Sequence, residues 1–387
     1  MSAKRLFLVA AEPSGDLLAL ETVNALKALD PMIEFGAIGG EALASIDLAS
    51  PIDVRPLSIL GLFEGLRAYP TVVRLVDEAV SAILAFAPDT VVLVDSWGFT
   101  LRVAQKLRKR APNIKLVKLV GPQVWATRPG RAGTLSAIVD HLICLHAMEA
   151  PYYAPFDLPV TVMGPPALSR TEPGDGVAFR KAMNLLDEDR VLLTLPGSRP
   201  SEIERTAPAL VEAALSLRSV RPDIKLVFAP APQVRDLFLA RFGAAIGAGT
   251  LAPKTFRSID LMAGADLALA CSGTVTSELA VQGTPFLVGY KTGWITWFLA
   301  RYLLYKPIHI TLLNIAAGDE EVVPEFVQTR LRPERIVKTA LELLDNPDQL
   351  TAQVCAQNVA LKEMGAGETP APVIAAHAIL SVMNARK

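Results

Sequence analysis

Short apolar runs of strand length recur along the chain. Each is closed by a small-residue turn and followed by a stretch whose apolar positions return every three or four residues. Leu6–Ala10 is the first. Ala11-Glu12-Pro13-Ser14-Gly15-Asp16 turns the chain, and Leu17–Leu29 reads as a helix that Asp30-Pro31 stops, with Ser14 or Asp16 as its cap. Ile33–Ile38 running into Gly39-Gly40, Val91–Val94 into Asp95, Leu116–Val120, Val139–Leu145 and Val160–Met163 repeat the pattern. Leu57–Gly65 leads into an amphipathic helix reaching about Phe86. Runs this apolar suit strands buried on both faces, as in parallel sheets.

The rhythm pauses at Gly164-Pro165-Pro166 and restarts at Val191, with strands at Ile224–Ala229, Asp266–Ala270 and Pro285–Tyr290; from Pro333 onward only helices are expected. The alternation predicts an α/β protein of doubly wound parallel sheets. At 387 residues the chain exceeds one ordinary core. The expected domains are 1–166, 167–340, and terminal helices over 341–387 that pack back on the first domain.

Candidate chemistry sits where strands hand over to helices. Leu192–Leu195 ends in Pro196-Gly197-Ser198-Arg199, with Glu202 shortly after. A Gly-Ser turn between a buried strand and a helix presents backbone amides to an anion, and Arg199 adds a cation with bidentate geometry. An ordinary turn with a surface arginine is an equal reading of that tetrapeptide. Cys271-Ser272-Gly273-Thr274, with Glu278 in the helix that follows, is a second junction of the same kind. The pair shifts the balance towards a nucleotide diphosphate site, with Glu278 on the ribose. Asp95, at the carboxyl end of its strand, is a general base or a helix cap, capping being the commoner role. Trp125 stands in an unusual loop, Gly121–Arg131, with Arg128 and Arg131, and reads as part of a binding surface.

Composition narrows the class. A net charge of −1 argues against a nucleic-acid binder held by bulk electrostatics. Three scattered cysteines and four histidines make no metal-ligand spacing, so no metal or resident cofactor is expected. Mean hydropathy is +0.36, yet no run reaches bilayer-spanning length and the first residues do not read as a signal peptide. The expectation is a cytoplasmic protein touching a membrane from one side. Trp294, Trp297, Phe298, Arg301 and Tyr302, between Lys291 and Lys306, suit the water–lipid interface; a buried or homodimer-contact helix fits them equally.

Taken together, Ala11–Asp16, Val124-Trp125-Ala126, Leu195–Arg199 with Glu202, Ser272-Gly273-Thr274 with Glu278, and Val323–Gln328 resemble the lipid-A-disaccharide synthase family, in order along nearly the whole chain. The resemblance implies a GT-B glycosyltransferase: two Rossmann-like domains with the active cleft between them, inverting and metal-independent. It implies transfer of 2,3-diacylglucosamine from UDP to the 6-hydroxyl of 2,3-diacylglucosamine 1-phosphate at the cytoplasmic face of the inner membrane. The sugar nucleotide then belongs to the C-terminal domain and the acyl acceptor to the N-terminal one. Arg199 would neutralise the leaving diphosphate with amides around Gly197, Ser198, Ser272, Gly273 and Thr274, and Asp95 would be the base. Glu12, Ser14, Gly15, Asp16, Trp125, Glu202, Glu278, Asn314 and Gln328 complete the expected substrate contacts. Asp95-Ser96-Trp97-Gly98-Phe99-Thr100 departs from the family's usual Asp-x-Pro-Asp-Phe-Asn, and Gly164-Pro165 from its usual Gly-His. Those departures motivate alternatives: a related GT-B enzyme with another acceptor, a UDP-sugar epimerase, or a silent nucleotide-sugar- or lipid-binding paralogue.

Overall fold

A computed structural model of the protein describes residues 4–58, 69–186, 188–247, 250–299 and 307–385. The chain divides into two compact units: Met1–Ser169 with Gly365–Lys387, and Arg170–Met364.

Unit 1 holds six parallel strands: β1 (Arg5–Ala10), β2 (Glu34–Ile38), β3 (Thr90–Val94), β4 (Lys115–Leu119), β5 (His141–Cys144) and β6 (Val160–Val162), in the order β2-β1-β3-β4-β5-β6. The order reverses direction at β1 and β3, and the carboxyl end of such a switch point is where open α/β sheets bind ligands. Helices α1 (Pro13–Leu29), α2 (Tyr69–Phe86) and α3 (Trp97–Arg110) connect the strands. Helix α1 buries Leu18, Ala19, Thr22, Val23 and Leu26, one face at helical spacing. It starts four residues earlier than the apolar pattern predicts, because Pro13 carries the backbone angle a first helical residue needs. Ser14, Gly15 and Asp16 therefore occupy its first turn, and Glu12 is the N-cap, with no side-chain cap bond. The lead-in expected over Leu57–Gly65 falls from residue 59 onward outside the described residues.

Unit 2 repeats the plan with β7 (Arg190–Leu195), β8 (Ile224–Phe228), β9 (Leu267–Cys271), β10 (Phe286–Tyr290) and β11 (Glu325–Val327), all parallel, in the order β11-β10-β9-β7-β8. Its switch point lies between β7 and β9. Helices α4 (Pro200–Arg205) and α5 (Val275–Val281) follow those two strands. Further on come α6 (Trp294–Leu299) and α7 (Pro347–Glu363).

The terminal helices divide between the units, which corrects the expectation for 341–387. Helix α7 stays in unit 2, where Gln353 donates its side-chain N–H to the carbonyl of Phe286 in β10 at 2.7 Å. Only α8 (Ala371–Asn384) joins unit 1. Its Ala371, Ala375, Ala376 and Ile379 enter the same core as Leu18, Val23 and Leu26 of α1 and Val117 of β4. Burying an aliphatic side chain of Ile379's size contributes about 1.5–3 kcal/mol. Where the chain re-enters unit 1, Gly365 (φ 91°) lies on Gly164 (φ 79°), both in the left-handed region. A Cβ on Gly164 would stand 2.3 Å from the Gly365 carbonyl oxygen.

Candidate active site

In unit 1, Asp95 leaves β3 with φ 41° and Ser96 follows with φ 43°, while Val120, just past β4, has φ 66°. Left-handed backbone costs about 1–2 kcal/mol per non-glycine residue and is least tolerated by a β-branched one. Such strain gathers at functional sites, where surrounding structure enforces it. Here the enforcement is visible. The Asp95 N–H donates to the Leu119 carbonyl at 2.8 Å, and the Thr100 hydroxyl lies 2.6 Å from the Asp95 carbonyl and 3.0 Å from that of Ser96. Lys118 reaches up from β4 to donate to the same Asp95 carbonyl and, at 2.8 Å, to the Thr100 oxygen. The N-cap of α3 is Ser96 and makes no side-chain cap bond, so the capping role weighed for Asp95 is not the one the fold uses. Asp95 as a residue is half-buried.

Glu12 is also half-buried, Ser14 exposed and Gly15 buried. Asp16, 4% exposed, accepts the Ala42 N–H at 2.8 Å through Oδ2, while Oδ1 is buried with no hydrogen-bond partner among the described residues. Glu12 and Asp16, with Gly39, Gly40, Ile52 and Val54, line a cavity of about 740 Å³. Trp125 is buried, its indole N–H has no partner among the described residues, and its ring meets His146 edge-on at 6.4 Å. A buried, unspent donor is what a ligand-facing tryptophan would present. From the same loop Arg131 stacks over Trp97 at 5.1 Å.

In unit 2 the two junctions come together. β7 and β9 are neighbours, and Gly197, Ser198, Ser272, Gly273 and Thr274 line one cavity of about 150 Å³. Its volume suits part of a ligand such as a phosphate group rather than a whole nucleotide sugar. Ala229, Ala231, Pro232 and Ser258, from other loops, close the same cavity, and no local motif marks them for it. Burial holds the Cys271 thiol on its wall up at about 12, so it stays neutral. Arg199 is 75% exposed and lies 3.7 Å from Glu202 Oε1. Glu278 is half-buried, and burial raises its carboxyl above the usual range.

Three expected substrate contacts are taken up by the protein itself. Glu202 turns back and accepts the N–H groups of Ser198 (2.8 Å) and Arg199 (3.2 Å) through Oε2. That carboxylate already satisfies amides read from sequence as diphosphate donors; a Cβ on Gly197 would stand 2.7 Å from it. Asn314 is fully buried; it donates to the Val323 carbonyl (2.8 Å) and Glu325 (3.1 Å) and accepts the Val323 N–H (2.8 Å). Gln328, at φ 53°, clamps Thr292 by accepting its N–H (3.1 Å) and donating to its carbonyl (3.3 Å). In α6, Trp294 (62% exposed) and Phe298 (58%) stand one turn apart on one exposed face, with Trp297 half-buried; Arg301 and Tyr302 lie outside the described residues. Among the described residues no helix is long and apolar enough to cross a membrane.

The comparisons with known proteins agree across the chain. The family model for lipid-A-disaccharide synthetase matches residues 6–379. The lipid-A-disaccharide synthase of Ruegeria pomeroyi is 36% identical over 385 residues, 97% of this chain and 94% of that protein. That of Rhodospirillum centenum is 33% identical over 384 residues, 98% and 95% respectively. Among solved structures, a putative UDP-N-acetylglucosamine 2-epimerase from Listeria monocytogenes matches with TM-score 0.62 at 14% identity, covering 99% of this chain and 96% of its own. A glycosyltransferase from Rickettsia africae matches with TM-score 0.56 at 9% identity, covering 99% and 100%. At such identities these two speak for the shared GT-B-like fold alone.

Proposed function

The chain belongs to the lipid-A-disaccharide synthase family, and on that premise we propose which of its residues carry the reaction. The enzyme is a hexosyltransferase that condenses UDP-2,3-diacylglucosamine with 2,3-diacylglucosamine 1-phosphate, giving the beta-1,6-linked disaccharide 1-phosphate and UDP. The alternatives, an epimerase, a different acceptor or a silent paralogue, are not favoured. The epimerase likeness is one of fold at 14% identity, whereas family identity exceeds 30% over nearly the whole length.

In this reading unit 2 takes the sugar nucleotide and unit 1 the acceptor. The observation that carries the donor side is the joining of the β7 and β9 junctions at one cavity. Glu202 occupies the amides of Ser198 and Arg199, so leaving-group charge falls chiefly to the exposed guanidinium of Arg199, with the amides around Ser272, Gly273 and Thr274 aiding it from the wall of the 150 Å³ cavity. No metal is invoked in that step. Glu278, half-buried in the first turn of α5, would accept hydrogen bonds from ribose hydroxyls. Asp95 takes the proton of the acceptor hydroxyl as its oxygen attacks the anomeric carbon and the bond to UDP breaks, giving inversion. Trp294 and Phe298 seat the enzyme peripherally on the inner membrane's cytoplasmic face, the surface where doubly acylated substrates lie.

The experiment is a product assay: purified protein with the acylated nucleotide sugar and acylated monosaccharide phosphate, read by mass spectrometry. A disaccharide monophosphate and UDP in equal amounts are expected; turnover of unacylated UDP-sugar alone would refute the assignment. Arg199→Ala is expected to weaken UDP binding about tenfold or more, the range for one lost charge-assisted contact. Calorimetry returning an unchanged affinity would take the diphosphate away from Arg199.

A further inference from the structure

Lysine is almost never fully buried without a charged or hydrogen-bonding reason. Lys118 is 2% exposed, in the middle of the unit 1 sheet, paired in register with Leu93 of β3 and Leu142 of β5. Its ammonium donates to the carbonyl of Asp95 and to the hydroxyl oxygen of Thr100. Thr100 has a single hydroxyl hydrogen, which it directs to the carbonyls at 95 and 96. The three groups thus form one knot under two consecutive left-handed residues.

We propose that Lys118 is a positioning residue for the glycosyl transfer: its buried side-chain nitrogen, bonded to the Asp95 carbonyl and the Thr100 hydroxyl, pins the Asp95–Ser96 turn and keeps the Asp95 carboxylate aimed, without itself touching substrate. The proposal rests on the reading of Asp95 as the base. The charges acting on the ammonium come from Asp95 at the end of β3 and Glu12 in the turn after β1. On β5 the Cys144 thiol, held at about 12 by burial, is neutral, and on α3 the Arg102 guanidinium is turned to the Gly98 carbonyl. Burial pushes the ammonium down to about 7 while Asp95 and then Glu12 pull it up. Because the folded value lies below the ordinary one, the burial penalty is fully present below about pH 7 and fades as pH rises towards 10.5.

The test is Lys118→Met in the full-length enzyme, which keeps the stem and deletes the charge. Turnover is expected to fall roughly tenfold, short of losing the base, since the carboxylate is misplaced rather than absent. KM for the nucleotide sugar stays unchanged and the melting temperature at pH 6 does not fall, so the loss lies in kcat alone. An unchanged kcat would overturn the proposal, as would activity lost in step with melting temperature or a loss that appears in KM rather than kcat. Thr100→Val covers the case of a Met variant that does not fold: it keeps the charge and removes the hydroxyl grip. Its kcat is expected to fall with KM unchanged, and an unchanged kcat overturns the pinning. Asp95→Asn separates the two layers. If it retains turnover the base assignment fails, whereas an inactive Asp95→Asn beside a wild-type-like Lys118→Met removes Lys118 alone.

Discussion

Asp95→Asn is expected to lower kcat about a hundredfold or more, the range for losing a general base, while UDP affinity stays within a factor of two or so. The substitution is well matched to this backbone. Asp95 sits at φ 41°, and asparagine tolerates the left-handed region better than any other charge-neutral isostere. The Asn side chain therefore takes the same place without a carboxylate, and the turn's own bonds run through the Asp95 N–H and carbonyl, which survive. UDP belongs to unit 2 in this assignment, so its binding serves as an internal control for folding. Burst experiments should show no fast phase of disaccharide formation. Turnover within threefold of wild type would transfer the proton abstraction to another group.

Gly164→Ala is expected to destabilise unit 1 by about 3 kcal/mol, combining a left-handed alanine with a backbone contact that cannot open. The new Cβ would lie 2.3 Å from the Gly365 carbonyl oxygen, and the obstructing atom is main chain rather than the tip of a flexible side chain. For a unit of this size that corresponds to roughly 6–12 °C in the calorimetric transition. A shift below about 2 °C would mean that the two glycines separate without resistance.

The sheets are largely legible in sequence because the central strands are buried on both faces. Leu6–Ala10 and Val91–Val94 are apolar throughout, with no polar alternation to confuse them with surface strands. The switch-point junctions are legible for the same reason, since small residues must follow such runs. Partnering is not. Nothing local marks Glu202 as the acid that fills its own loop, or ties Asn314 to Val323, because those bonds depend on chain direction after a turn. Lys118 escapes a reading by pattern because a strand written Lys-Leu-Val-Lys-Leu looks half-exposed, whereas in the fold Lys118 is buried against Thr100 of α3. The contact of Gly164 with Gly365 joins positions some two hundred residues apart, beyond any periodicity.

Unit 1 is begun by the first residues and completed only by α8, with the whole of unit 2 encoded in between. On the ribosome, Arg170–Met364 takes roughly 10–40 s to synthesise at ordinary elongation rates. Throughout that interval the nascent α1 presents Leu18, Val23 and Leu26 without the alanine-rich helix that covers them. Unit 2 is contiguous and closes as soon as it clears the exit tunnel. The half of the enzyme that is translated first is thus the half that is finished last, and its uncovered apolar strip is the surface a chaperone would find on the growing chain.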